Sequence, residues 1–430
     1  MKYCLAVATQ GVRWLAVALA VAAMGLAPAC VALVGKVQAE QWRAEIRKAL
    51  FISDLLPPLA TKQYGSFSPT PGVVAERVTY GTEYGMRVPA IVYRPANAGT
   101  QKRPGIVVVN GHAGDKASWY SYYTGVLYAK AGAVVLTYDP IGEGERNDDH
   151  EDATGEHDRK IEVPGVPARL GGLMVTDVMQ AVTYLDQRPD VNPHRVAVMG
   201  FSMGSFVAAL AGAVDTRFRA MLLTGGGDLD GPGGYWDKSA PMCQGGPYQA
   251  LLVLGDRPAV IYALNAQRGK TYIINGMADT VVDIPHHESD YFDAVRERVI
   301  ALAGSKNAFQ TYFVPQASHR PAWLMRVAAL WLNEQLTFPG WTTTRLEDAR
   351  AVSIREWAMQ VGQPLSKSAL QEDHEGGMPA IEAGVPRLTP DQLDVLSRDE
   401  WQQERDSFVY STWATQAINS AREQLAGANQ

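Results

Sequence analysis

The spacing of apolar and polar positions changes character three times along this chain. Between Trp14 and Gly35 no residue is charged, and the stretch follows Lys2 and Arg13, the order of an export signal. Gln41 to Leu55 then has helical spacing and leads into a Pro-, Ser- and Gly-rich linker from Pro57 to Gly72. Val74 to Tyr80 and Met86 to Tyr93 read as strands, and Gly81 to Gly85 between them as a hairpin connection. After this pair come six short apolar runs: Gly105 to Asn110, Ala133 to Tyr138, Arg195 to Met199, Ala220 to Thr224, Lys270 to Asn275 and Gln310 to Val314. Longer segments of helical periodicity separate them. Met174, Val175, Val178, Val182 and Leu185 form one packing stripe, and Trp323, Val327, Leu330 and Trp331 another. Continuous β-branched runs alternating with helices predict an α/β fold with eight strands, mostly parallel and covered on both faces. Beyond Pro339 the strand rhythm stops, and Thr389-Pro390-Asp391-Gln392 reads as a capped helix start. The expected organisation is a signal over 1–39, a helical lead-in and linker over 40–72, a catalytic domain over 73–339 and a helical C-terminal extension over 340–430.

Composition narrows the classes. The 430 residues are 47% hydrophobic and 20% charged, enough to bury a large core. The net charge of −6, without a basic run, argues against a nucleic-acid partner. Three fates suit the N-terminus: cleavage after Ala39, retention as a membrane anchor, or lipidation at Cys30. Each exports the working domain, and only the last two give a membrane contact. Cleavage leaves Cys243 as the sole cysteine, without an intrachain disulfide partner, and it reads as a buried or loop thiol rather than a nucleophile. It also leaves 36 basic against 45 acidic residues, a net charge of −9.

Gly200-Phe201-Ser202-Met203-Gly204 carries the chemistry. A serine nucleophile on a tight strand-to-helix turn needs small residues two before and two after it, and here a β-type run precedes it and a helical run follows. Its hydroxyl requires a base oriented by a carboxylate. Asp279 and His319 fall on loops at the carboxyl ends of later strands, in the order Ser, acid, His. Asp228, Asp230 and Asp283 are rival acids. The backbone N–H of Met203 and that of His112, or of neighbouring Ala113, are candidate oxyanion donors. His150 and His157 lie in a charged loop and read as solvated, as does the acidic run Asp148 to Asp152. Tyr235 and Trp236 are candidate substrate-stacking residues.

Four stretches together resemble the α/β-hydrolase fold, in its dienelactone hydrolase, acetyl xylan esterase and prolyl oligopeptidase-like branch. They are Asn110 to Lys116, Tyr138 to Arg146, Asp190 to Arg195 leading into Gly200 to Gly204, and Asn275 to Asp279. The resemblance covers about Val74 to Leu336. It implies a triad of Ser202, Asp279 and His319, with no metal and no organic cofactor. Asn110 stands where relatives often have His, and Ser205 where a second Gly is common.

The expected function is that of an exported serine esterase acting on small-molecule or carbohydrate esters, with acetylated carbohydrates as the analogy. A serine peptidase of the same branch and a catalytically silent binding protein of the same fold are the alternatives.

Overall fold

The structure, a computed structural model, describes residues 34–97, 99, 101–230, 242–365 and 378–427. Helix α1 (Lys36–Leu50) is followed by strands β1 (Lys62–Thr70), β2 (Val73–Gly81), β3 (Arg87–Pro95) and β4 (Arg103–Val109). Next come α2 (Trp119–Lys130), β5 (Val134–Tyr138), α3 (Val166–Asp186), β6 (Val191–Phe201), α4 (Met203–Val214) and β7 (Phe218–Thr224). The series closes with α5 (Arg257–Asn265), β8 (Lys270–Gly276), α6 (Ile284–Ala303), β9 (Phe309–Val314) and α7 (Arg326–Leu336).

Nine strands form one sheet in the order β1-β2-β3-β5-β4-β6-β7-β8-β9. The first three strands and the β3–β5 pair are antiparallel, and the rest run parallel. All eight expected strands are present. The ninth, β1, lies in the stretch expected to be a linker. It is an edge strand, exposed along most of its length, so it lacks the apolar signature of its neighbours and takes its conformation from pairing with β2.

Each sheet face carries its own core. One unites α1, α3, α4, α5 and α6 against residues such as Val107, Val198 and Leu223. The other packs α2 and α7 against Ile106, Val108 and Ile274. In α7 the buried face is Ala328, Ala329, Trp331 and Leu332, while Val327 and Leu330, expected in the stripe, are half-buried. The helix begins only at Arg326, and Trp323 belongs to a separate short 3-10 turn. Helix α1 starts upstream of the expected cut after Ala39, Ala39 is fully buried, and the Val34 N–H donates to Leu302 O at 2.8 Å. Among the described residues no helix is long and apolar enough to cross a membrane.

The C-terminal segment is built into both cores. Leu346, Ile354, Trp357, Trp401 and Phe408 join one, and Tyr410 and Trp413 of the final helix α8 (Tyr410–Gly427) join the other. It also contributes a small strand pair, Ala351–Ser353 with Pro379–Ile381. The main anchor is Glu145, whose carboxylate accepts from the Val395 and Leu396 N–H groups at 2.9 and 2.8 Å. The same carboxylate lies 2.9 Å from Lys116 Nζ, itself 2.6 Å from Asp139 Oδ2, with all three side chains 2% exposed or less. Burial alone would lower the Lys116 pKa, but Asp139 and Glu145 outweigh it and hold the ammonium charged. Burial raises the Asp139 carboxyl to about 6 against the opposing pull of Lys116.

Removing one member of such a buried cluster strands the others. Glu145→Ala is therefore expected to lower stability by about 3–5 kcal/mol, read as a lower urea midpoint. An unchanged midpoint would show that the C-terminal segment is held without this anchor.

Candidate active site

Strand β6 ends at Phe201, and Ser202 takes φ 54° and ψ −122° before α4 begins at Met203. A positive φ is costly for a residue with a Cβ, and the strain persists only where surrounding contacts impose it. Three contacts do so here. The Ser202 N–H donates to Thr224 O at 2.9 Å, and the Ser205 N–H donates to Ser202 O at 2.8 Å. The Ser205 hydroxyl sits 2.8 Å from both the Gly200 and Thr224 carbonyls and accepts from the Thr224 N–H at 3.1 Å. Ser205, the departure from the common glycine, thus serves as a polar brace under the turn.

The flanking glycines are sterically required. A Cβ on Gly200 would stand 2.3 Å from Gly204 O, and one on Gly204 would stand 2.2 Å from Val109 O. Gly204→Ala therefore forces α4 away from β4 and is expected to cost at least about 1–3 kcal/mol and to reduce soluble yield. Wild-type thermal stability in that variant would disprove the close approach.

Asp279 and His319 are brought together by two stitched loops. The Met277 N–H donates to Val314 O at 3.0 Å, and the Ala278 N–H to Ala317 O at 2.8 Å. Gly276 allows this approach, since a Cβ there would lie 2.1 Å from Ala317 O. Asp279 is fully buried, and its Oδ2 lies 2.8 Å from His319 Nδ1. Its other oxygen accepts from the Val281 and Val282 N–H groups at 3.0 and 3.3 Å, which fixes the carboxylate's plane. The rival acids are placed elsewhere: Asp230 pairs with Arg257, Asp283 pairs with His286, and Asp228 lies buried near Tyr262 and Tyr291, whose hydroxyls are raised first by their own burial and then by its charge.

His319 reaches the serine turn across Gly225. This glycine has φ 58°, and a Cβ on it would sit 2.9 Å from His319 Cε1. The imidazole also packs 4.8 Å, centroid to centroid, from the Phe201 ring. With its side chain 15% exposed, His319 remains open to solvent.

The loop after β4 presses on the same corner. A Cβ on Gly111 would stand 3.2 Å from Ser202 Cβ, and the Gly111 N–H is held by the Tyr120 hydroxyl at 3.2 Å. Neither the His112 N–H nor the Met203 N–H donates to another described residue. Asn110 serves structure: its Nδ2 donates to Tyr138 O at 2.9 Å, and Ser121 donates to its Oδ1. The Asp115 carboxylate accepts from the Ala117 and Ser118 N–H groups at 2.8 and 2.7 Å, which shapes the turn leading into α2.

The two histidines expected to be solvated, His150 and His157, are buried instead. His157 is fully buried, and His150 stacks on Trp401 and lies 3.1 Å from Asp394. His150 is covered by Asp394 and Trp401 of the C-terminal segment, about 250 residues away in sequence, and His157 by Ile141 and Glu143 of its own insertion, contacts that charge on a loop does not encode. Asp149, Glu151 and Asp152 do face solvent. The His112 side chain lies 2.7 Å from Asp158, a hydrogen bond that raises its pKa. Tyr235 and Trp236 lie outside the described residues.

Residues 59–224 match the acetyl xylan esterase family. Among curated proteins, the uncharacterized protein PA2218 of Pseudomonas aeruginosa is 26% identical over 211 residues, 49% of this chain and 50% of the relative. The chain thus matches half the length of that relative. The uncharacterized protein YfhR of Salmonella typhi is 25% identical over 284 residues, 63% of this chain and 83% of its own. Among solved structures, methylesterase BT1017 superposes with a TM-score of 0.59 at 16% identity, covering 91% of this chain and 76% of that one. The sheet order, the serine turn and these matches together make the chain an α/β-hydrolase-fold protein whose residues 59–224 match the acetyl xylan esterase family.

Proposed function

We propose that the protein is a serine carboxylic ester hydrolase using Ser202, His319 and Asp279. The observation that carries this reading is the Asp279–His319 hydrogen bond, with the imidazole packed against the corner where Ser202 is held at positive φ. His319 accepts the Ser202 proton through Nε2 as Oγ attacks the ester carbonyl, while Asp279 keeps the Nδ1 proton in place. The His112 and Met203 N–H groups receive the developing oxyanion. His319 then protonates the leaving alkoxide, and water, activated by the same base, hydrolyses the acyl-enzyme.

The match to the acetyl xylan esterase family favours a small-molecule or carbohydrate ester carrying a short acyl group. The name of the methylesterase neighbour adds methyl esters to the classes worth testing. The charge-free stretch from Trp14 to Gly35 supports export to a secreted or periplasmic setting.

The test is a hydrolysis panel on the purified chain together with labelling by a serine-directed fluorophosphonate. Short acyl esters, long acyl esters, acetylated sugars, uronate methyl esters and a dipeptide amide make up the panel. Labelling at Ser202 with turnover of short esters is expected. Faster cleavage of the amide would point to a peptidase, and failure to label would point to a catalytically silent fold.

A further inference from the structure

A second constellation, separate from the three catalytic side chains, lies where the loop after β4 meets the insertion between β5 and α3. His112, His157, Asp158 and Cys243 each offer one donor atom, and the four atoms all lie within 4.8 Å of one another. His112 Nε2 lies 2.7 Å from Asp158 Oδ2, and the Cys243 thiol donates to Asp158 Oδ1 at 3.1 Å. His157 is fully buried, and among the described residues its Nε2 has no hydrogen-bond partner. An unpartnered nitrogen is an anomaly in a buried imidazole, because burial removes its water without replacing it.

We propose that these four residues form a metal site of the zinc type. The donor set of two imidazoles, one thiolate and one carboxylate suits a tetrahedral, borderline-soft divalent ion and does not suit calcium or magnesium, which prefer all-oxygen shells. Zinc bonds of about 2.0–2.3 Å place tetrahedral ligand atoms roughly 3.3–3.7 Å apart. Side-chain rotations of about an ångström therefore close the observed spread onto one ion.

The surroundings are organised for this. His157 Nδ1 donates to Ile141 O at 2.9 Å, with Glu143 Oε1 3.6 Å away, which leaves the Nε2 lone pair free to ligate. That is the outer-sphere orientation metal-bound histidines use. Gly155 keeps the space open: a Cβ there would stand 2.7 Å from His112 Nε2. On binding, the Cys243 thiol loses its proton to solvent, and the proton on His112 moves from Nε2 to Nδ1. The ion ties together three segments that are distant in sequence, around residues 112, 157–158 and 243, and so acts as a clamp beside the proposed catalytic corner. The inference is independent of the esterase reading, and its test reads metal rather than turnover.

The full chain with Cys4 and Cys30 replaced by serine leaves Cys243 as its sole cysteine. After stripping with a chelator, it is offered zinc and its metal content is measured after gel filtration, and in parallel it is offered cobalt. About one equivalent of zinc, a rise in Tm with zinc, and a thiolate-to-cobalt charge-transfer band are expected. Cys243→Ser should abolish the band, and Cys243→Ser and Asp158→Asn should each weaken zinc binding by at least about 100-fold. Zinc content below about a tenth of an equivalent with no cobalt–thiolate band in the Cys243-bearing chain would overturn the proposal, whether or not the variants fold. Unchanged zinc affinity in both folded variants would overturn it equally.

Discussion

Ser202→Ala is expected to lower kcat/KM for a short acyl ester by roughly four to six orders of magnitude while leaving the thermal unfolding transition in place. The loss is large because the alanine cannot form the acyl-enzyme, and what remains comes from the oxyanion donors and binding alone. The fold should persist, because the braces of this turn are backbone N–H and carbonyl groups and the Ser205 hydroxyl. Relief of the strained φ at position 202 is not available to alanine, so no large gain in stability is expected either. Ser202→Ala combined with His319→Ala should be no slower than the single variant, since the two side chains act as one unit. Near-normal turnover in purified Ser202→Ala would remove the serine mechanism.

Asp279→Asn is expected to reduce kcat by about 10⁴ with little change in KM. The geometry makes the direction specific. Oδ1 of Asp279 accepts from the Val281 and Val282 N–H groups, so an asparagine keeps its carbonyl oxygen there and turns its amide nitrogen toward His319. That nitrogen donates to Nδ1 and drives the imidazole into the tautomer protonated at Nε2, which cannot accept the serine proton. The fold is retained because both loop N–H groups keep their acceptor. Steady-state kinetics beside a thermal melt separate the outcomes, and a loss of less than about tenfold would assign the orienting role to another acid.

Much of this site was legible in the residues because its requirements are local. A serine turn needs Gly200 and Gly204 at fixed offsets, and buried parallel strands such as Val196–Met199 need uninterrupted apolar runs. The choice of Asp279 over Asp228, Asp230 and Asp283 was left open by spacing. The Met277–Val314 and Ala278–Ala317 bonds join two loops some 40 residues apart and put Asp279 in hydrogen bond with His319, which supports it as the proposed acid. Strand β1 escaped notice because an exposed edge strand with Gly65 and Pro69 carries no alternating apolar code.

The run from Glu143 to Asp158 marks the boundary most clearly. By composition it is a charged loop, and charge on a loop ordinarily means water. Glu145, Arg146 and His157 are nevertheless fully buried: Val395, Leu396 and Trp401 return to donate to Glu145, Asp177 of α3 pairs with Arg146, and the Ile141 carbonyl accepts from His157. The amino-acid order by itself determined the strand sequence, the serine turn and the placing of Asp279 and His319 on loops after later strands, since each follows from near neighbours. Only the tertiary structure decided which acid meets the histidine, which charged residues leave water, and that His112, His157, Asp158 and Cys243 converge, because those depend on contacts that no local pattern encodes.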